Sequence, residues 1–403
     1  MFHVNSEVGQ LHEVIVHRPG TELSRLTPEN VDSLLFDDVL WAERAQEEHD
    51  LFAKQLVDHG VTVHHFADLL AEALDTEGAR DFVATRLATQ ERFGLMLAGA
   101  VAELVRSYPA AQLAKVLIGG LTKRELGSWL STPSLLLESA AQDDFVLTPL
   151  PNHLFQRDNS AWMYGAVSVN PMAKEARQRE TINSRVVYNF HPMFRSAPPT
   201  FLYGNDSAVH VPATVEGGDV AVLGHHGVLI GMGERTSPQG IELLSQRLFE
   251  TGTAERVIVV ELPKVRAFMH LDTALTQIDR DAYSVYPYLP DELRSWTVTP
   301  QRGGLAFHEN DSLFHELSYA LQVDKVRAIK VPMDRRAAER EQWDDGNNFL
   351  AVSPGVVLGY ERNTTTNRYL EEHGITVVPV VGSELGRGRG GPRCMTCPIS
   401  REA

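Results

Sequence analysis

Glu216-Gly217-Gly218-Asp219 opens an apolar strand, His225-His226-Gly227 turns it, and Val228-Leu229-Ile230 runs back to Gly231-Met232-Gly233-Glu234-Arg235. Asp345-Gly346-Asn347-Asn348 opens a second such strand, Ser353-Pro354-Gly355 turns it, and Val356-Val357-Leu358 returns to Gly359-Tyr360-Glu361-Arg362. Each hairpin is followed by a helix-like stretch (239–250 and 366–372) and a β-branched strand ending in proline (257–263 and 375–379). Residues 158–190 repeat the theme more loosely, and 11–66 offer another copy. A recurring hairpin, helix and returning strand predict modules arranged around an axis, with ligands where the modules' loops converge. Alternation of β and α units alone is equally compatible with an ordinary doubly wound sheet.

Working outward, residues 11–17 read as a strand broken by Arg18-Pro19-Gly20. A helix is expected from Asp38, a capping residue, to about His59, with Gly60 as its stop and a strand over 61–66 after it. Residues 67–131 change character. They are rich in Ala, Leu, Glu and Arg at helical spacing, as in 93–108 and 109–118, and predict a helical insertion. From Phe145 onward strands and helices alternate.

The 403 residues hold 43% apolar and 22% charged side chains, an ordinary globular balance that allows two or three average domains, or one repeat-built domain with an insertion. A formal charge of −16 argues against nucleic-acid and anionic-membrane partners, which attract basic patches, but not against a cationic substrate. Two cysteines cannot make a disulfide framework and suit a reducing compartment. Residues 1–20 lack the basic and apolar regions of a signal peptide, and the longest apolar run, 93–102, is too short to span a bilayer. A soluble, cytoplasmic protein is expected.

Chemistry concentrates in a few places. Gly386-Arg387-Gly388-Arg389-Gly390-Gly391-Pro392-Arg393-Cys394-Met395-Thr396-Cys397-Pro398 carries both cysteines behind glycines and three arginines. A thiol attacks as thiolate, and nearby positive charge lowers its pKa. The expectation is that upstream elements build a cup into which this loop presents Cys394, rather than that it is a disordered tail. Phe268 to Leu275 alternates as a strand would, placing His270 and Asp272 on one face as an acid/base and cation-anchoring pair. That face also fits two unrelated surface polar residues, or a 2-His-1-carboxylate metal site completed by His308 or His315. Glu216 and Asp219 flank a glycine pair where backbone can approach a ligand. In Phe155-Gln156-Arg157-Asp158-Asn159 the plainer reading is a satisfied Arg157–Asp158 pair at the start of a strand. His64-His65 and His225-His226 lack metal-ligand spacing and read as turn or surface residues. Together, a thiol, an imidazole and several carboxylates complement a guanidinium, which is planar, offers five donors and pairs bidentately with carboxylates.

Phe-Gln-Arg-Asp (155–158), Glu-Gly-Gly-Asp (216–219), Met-His-Leu-Asp-Thr (269–273), Trp-Asp-Asp-Gly-Asn-Asn (343–348), the 386–398 segment and Leu-Leu-Phe-Asp-Asp (34–38) closely resemble bacterial arginine deiminases, in order and over essentially the full chain. The resemblance implies an α/β fold: a five-module pseudosymmetric α/β propeller formed by residues 1–66 and 146–403, with an inserted all-helical domain over 67–145. It implies that Cys394, not Cys397, is the nucleophile and that His270 is the general acid and base. Glu216 would contact the guanidinium and orient His270, while Asp158 and Asp272 hold its nitrogens. Arg177 and Arg235, assisted by Asn152, would bind the substrate α-carboxylate. Phe155 and Leu35 would pack on the aliphatic stem, and Asn348 and Arg389 would lie in gating segments near Cys394. Arg393 stands where such enzymes usually have His or a small residue.

The resulting expectation is hydrolysis of free L-arginine to L-citrulline and ammonia without metal or organic cofactor, by a homo-oligomer (dimer or tetramer). Agmatine, peptidyl-arginine or methylated arginine as substrate, amidino transfer to an amine, and a non-catalytic arginine binder are the alternatives. The pair Arg177 and Arg235 favours free arginine over agmatine, which has no carboxylate. The retained thiol argues against a mere binder.

Overall fold

A computed structural model describes residues 2–127, 132–203, 211–290 and 293–403. Five sheets among these residues share one pattern, in which an antiparallel hairpin is extended by a parallel third strand. Val220–Gly224, Gly227–Met232 and Arg256–Glu261 form one such unit. The others are Leu275–Asp279, Ala282–Val285 and Arg327–Lys330; Leu350–Ser353, Val356–Tyr360 and Thr376–Val380; and Ser160–Met163, Ala166–Val169 and Thr200–Phe201. In the fifth, Leu11–Val16 pairs antiparallel with Cys397–Arg401 and parallel with Thr62–His65, so the two ends of the chain meet in one sheet. His3–Val4 adds a parallel strand to its edge. The fold is mixed α/β with several sheets, and none of the described sheets closes on itself.

The strands are short and mostly buried on both faces, which is why they read as β-branched runs rather than clean alternation. The unit that begins at Val220 carries two further strands, Ser295–Gln301 and Gly304–Glu309, and the second of these is largely exposed at the edge.

Between His65 and Phe145 the described chain is helical, except that Leu121–Thr122 pairs with Phe145–Leu147 as a small two-stranded sheet. The expected all-helical insertion therefore holds one β pair, and its residues 128–131 lie outside the described residues. Leu70, Leu97 and Leu117 of these helices share one continuous core with Trp162, Val167, Val222 and Val257 of the sheets. Among the described residues no helix is long and apolar enough to cross a membrane.

Two local expectations are corrected. The helix expected from Asp38 spans Ala42–Asp58 with Trp41 at its N-cap, because Asp38 ion-pairs with Arg387 instead of capping. His64 and His65 are strand residues rather than turn residues, and His64 Nε2 lies 3.1 Å from Glu13 Oε2. His225 and His226 do form an exposed turn, both at positive φ.

Candidate active site

The five hairpins share a second feature: the segment leading into each first strand is a tight turn carrying a polar or nucleophilic side chain. Asp158 lies in the helical turn Gln156–Asn159, Asp219 in the 3-10 turn Gly217–Asp219 with Glu216 just before it, and Asp272 in the 3-10 turn Leu271–Thr273 with His270 just before it. Asn348 and Cys394 precede the strands at Leu350 and Cys397 in the same way. Residues hundreds of positions apart thus converge on one cleft.

The strand expected over Phe268 to Leu275 begins only at Leu275, after two 3-10 turns. The Leu271 N–H is taken by Asp219 Oδ1 at 2.8 Å, and Thr273 Oγ1 donates to the His270 carbonyl at 2.7 Å. These local bonds compete with strand pairing, and burial of both Met269 and Leu271 alongside His270 and Asp272 removes the two-faced environment that alternation implies.

Leu35, Asn152, Phe155, Asp158, Arg177, Arg235, His270, Arg389 and Cys394 all line one narrow cleft, together with Arg266, Met269 and Gly388, which the sequence did not single out. The cleft encloses about 20 Å³, room for about one water molecule. Glu216, Asp272 and Asn348 stand behind the lining, each bonded to a lining group. Glu216 Oε2 is 2.7 Å from His270 Nε2, and Asp158 Oδ1 is 3.7 Å from His270 Nδ1, so the imidazole sits between two carboxylates. Gly218 permits this approach: a Cβ there would stand 2.8 Å from the His270 ring and 2.9 Å from Asp158 Oδ1.

Burial alone would push the His270 imidazole down, but Asp158, Glu216 and Asp219 outweigh it and hold the group up at about 9. Burial likewise pushes the Glu216 carboxyl up, yet Arg235, His270 and Arg177 hold it below the usual carboxylate range. The thiol behaves contrary to expectation. Burial, then Asp272, Asp158 and Asp345, push Cys394 well above an ordinary thiol, and Arg393 opposes them. The other two arginines do not help: Arg387 is exposed and paired with Asp38 and Glu384, and Arg389 lies 3.7 Å over the Trp343 ring. The cleft therefore favours a neutral thiol at Cys394 and a protonated imidazole at His270.

Asn348 grips Cys394 and the residue before it at three points. Its Nδ2 donates to Cys394 Sγ at 3.1 Å, and its Oδ1 accepts from the backbone N–H groups of Arg393 and Cys394, each at 3.1 Å. Asp272 Oδ2 is 3.6 Å from the same sulfur. Cys397 points away and packs against Ser160 and Tyr188.

Arg157 does not pair with Asp158; it pairs with Glu7 at 2.6 Å. Asp158 is held by Arg177, whose Nη1 is 2.6 Å from Oδ2, and Arg177 also makes a two-pronged pair with Glu180 at 2.9 and 3.0 Å. Arg235 is freer, with one contact to Glu216 at 3.3 Å and a buried Nε that lacks a partner among the described residues. Asn152 donates to the Leu34 carbonyl at 2.7 Å and so fixes the turn in which Leu35 takes φ 63°.

Glu48 and Glu7 were not foreseen. Glu48, fully buried in the helix Ala42–Asp58, accepts from Ser383 Oγ and from the Glu384 and Leu385 N–H groups, anchoring the start of the glycine-rich loop.

The alternative metal triad of His270, Asp272 and a second histidine does not assemble, since neither His308 nor His315 lines the cleft. The one described cluster with ligand atoms mutually within 4.8 Å is Asp158, Glu216 and His270, which offers two carboxylates and one imidazole to a cation.

A protein-family profile described as arginine deiminase matches residues 32–401. Among solved structures, the chain resembles an amidinotransferase of saxitoxin biosynthesis from Microseira wollei, with a TM-score of 0.58 and 13% identity over 100% of this chain and 98% of that one. It also resembles inosamine-phosphate amidinotransferase from Streptomyces griseus (0.54, 15%, 100% and 97%). A third is a mutant of DDAH from Pseudomonas aeruginosa complexed with citrulline (0.51, 15%, 96% and 99%). At such identities these likenesses speak to the fold.

Proposed function

From the premise that this chain belongs to the arginine deiminase family, we propose that it hydrolyses free L-arginine to L-citrulline and ammonia. Family membership itself supports guanidino-group hydrolysis or transfer; the substrate and the residue roles are our reading. The observation that carries it is the convergence of Cys394, His270 and Asp158 on one cleft, with Glu216 and Asp272 directly behind. The five repeated sheets, each placing one turn at the cleft or directly behind its lining, support reading the fold as a five-module propeller over 1–66 and 146–403 with the helical segment 67–145 inserted.

Asp158 and Asp272 hold the guanidinium, and the arriving positive charge offsets the carboxylates that keep the Cys394 thiol protonated. The thiol releases its proton to solvent water, and the resulting thiolate attacks the guanidinium carbon. The His270 imidazolium gives its proton to the departing nitrogen, ammonia leaves, and an amidino thioether remains on Cys394. Neutral His270 then takes a proton from water, whose oxygen attacks the same carbon. The C–S bond breaks, the hydroxyl proton of the adduct passes to the departing thiolate, citrulline leaves, and the proton released to solvent at the start converts ammonia to ammonium. Arg235 and Arg177 receive the α-carboxylate, and the tight lining, Arg389 included, must open to admit the substrate.

A colorimetric citrulline assay with arginine and a ureido-product assay with agmatine test this. Arginine is turned over far faster than agmatine, Cys394→Ala is inactive but still binds arginine, and Cys397→Ala retains activity. Citrulline formation by Cys394→Ala at the parental rate refutes the nucleophile assignment.

A further inference from the structure

Glu7 lies outside the matched family region, in the loop between His3–Val4 and Leu11–Val16, yet its carboxylate is buried beside the site. Its Oε1 accepts from Arg157 Nη2 at 2.6 Å and from the Val222 N–H at 3.1 Å, and its Oε2 accepts from Arg393 Nε at 3.1 Å. Arg393 in turn donates through Nη1 to Asp272 Oδ2 at 2.7 Å and through Nη2 to the Val220 carbonyl at 2.8 Å. Asp272 Oδ2 is the carboxylate oxygen 3.6 Å from the Cys394 sulfur. A relay of alternating charge thus runs Arg157, Glu7, Arg393, Asp272, Cys394, every member buried.

The loop is itself clamped. Arg401 donates to the Glu7 and Gly9 carbonyls at 2.8 and 3.1 Å, Ser6 Oγ donates to the Glu402 carbonyl at 2.7 Å, and a Cβ on Gly9 would meet that carbonyl oxygen at 2.3 Å. Glu7 cannot drift without moving the strand that follows Cys394.

We propose that Glu7, acting through Arg393, is a positioning residue for the Cys394 chemistry: the Glu7–Arg393 pair fixes one oxygen of Asp272 beside the sulfur and sets the local charge there. This rests on Cys394 being the nucleophile, as argued above. With Oδ2 engaged by a resident guanidinium, Asp272 offers its other oxygen to a substrate cation. A lysine could not span Glu7, Asp272 and the Val220 carbonyl, because only the planar fork presents donors in those directions at once.

The two links act on the thiol with opposite signs. The charged groups facing Cys394 are Asp272, Asp158 and Asp345, which disfavour the thiolate, and Arg393, which favours it; His270, Arg177 and Arg389 line the same cleft. Those facing Glu7 are Arg157, Arg393 and Arg401. Removing the Arg393 charge leaves Asp272 uncompensated against the sulfur, whereas removing the Glu7 charge leaves Arg393 less neutralised and more effective toward it.

The test is the rate of Cys394 alkylation by iodoacetamide at fixed pH near 8, read by mass spectrometry of the peptide and compared with kcat for arginine. A shift of one pKa unit changes the thiolate fraction about tenfold. Arg393→Gln slows alkylation by about that factor, Glu7→Gln accelerates it, and both lower kcat. Arg393→Lys keeps the alkylation rate near the parental value, because the charge stays, but loses kcat because the fork is gone. A folded Arg393→Gln that alkylates at the parental rate, or both glutamine variants moving the same way, overturns the proposal. Should Glu7→Gln fail to fold, the contrast between Arg393→Gln and Arg393→Lys decides alone. Alkylation needs no turnover, so a parental protein that ignores arginine would sink the substrate assignment while leaving this comparison intact.

Discussion

Asn348 donates from its amide nitrogen to the Cys394 sulfur at 3.1 Å while its amide oxygen accepts from the Cys394 backbone N–H at 3.1 Å, so one side chain fixes both ends of the nucleophile. A hydrogen bond to a charged group contributes about 1.5–3 kcal/mol. Asn348→Ala therefore lowers kcat by roughly 10- to 100-fold. Steady-state kinetics on arginine, with circular dichroism to confirm the fold, measures this; an unchanged kcat removes Asn348 from the chemistry.

The His270 imidazolium, held at about 9 by facing carboxylates, persists through neutral pH and loses its proton as pH rises through that value. An activity that needs the imidazolium falls on the same limb. Glu216→Gln withdraws one raising charge, so the basic limb of kcat/KM moves to lower pH. A limb that stays in place or moves up would show that Glu216 does not govern His270.

Arg177 is saturated by Asp158 and Glu180, whereas among the described residues Arg235 has a single longer side-chain contact and an unpartnered Nε. Recognition of the α-carboxylate accordingly falls mainly on Arg235. Arg235→Ala raises KM for arginine about tenfold or more, the loss of one charge-assisted hydrogen bond, and leaves the weak processing of agmatine nearly as it was. Equal losses on both substrates would contradict this.

Gly390 lies against the aromatic wall of the cleft: a Cβ there would stand 2.3 Å from Phe155 Cε1, and the Phe155 ring stacks on Phe36 with centroids 6.2 Å apart. Gly390→Ala forces that pair aside, costing about 1–3 kcal/mol by the usual toll of overpacking. Urea unfolding shows the loss as a lower midpoint with an unchanged slope, and KM rises because Phe155 lines the cleft.

Much of this arrangement was legible in the chain. The hairpin repeat at 216–235 and 345–362 recurs in the strand pairings, because its glycine turns and β-branched runs are local features. The copy at 11–66 was only half visible, since its hairpin partner, Cys397–Arg401, lies at the other end of the chain and no local pattern announces such a pairing. Cys394, His270, Asp272 and Glu216 stood out from their own motifs, whereas Leu35, Asn152, Arg177, Arg235 and Arg389 were reached only through the resemblance to arginine deiminases; the secondary structure was misread at Phe268–Leu275, where side-chain bonds from Asp219 and Thr273 override alternation. The thiol's environment was misjudged because counting arginines near Cys394 in sequence says nothing about which of them folds toward it. Glu7 and Glu48 gave no signal at all: each is one acidic residue in an unremarkable segment, and its weight comes from burial against partners hundreds of positions away.

The sheet that joins Leu11–Val16 to Cys397–Arg401 imposes an order on biosynthesis. As the ribosome extends the chain, the early strand emerges with an apolar edge whose partner has not yet been made, and it must wait through nearly four hundred further additions for closure. Until then the nucleophile's neighbours have no framework, so a nascent chain stays inert toward its substrate and exposed to aggregation or chaperone capture. Circular permutation that places the two strands side by side in the translated order would shorten that interval, and refolding from denaturant should quicken with it.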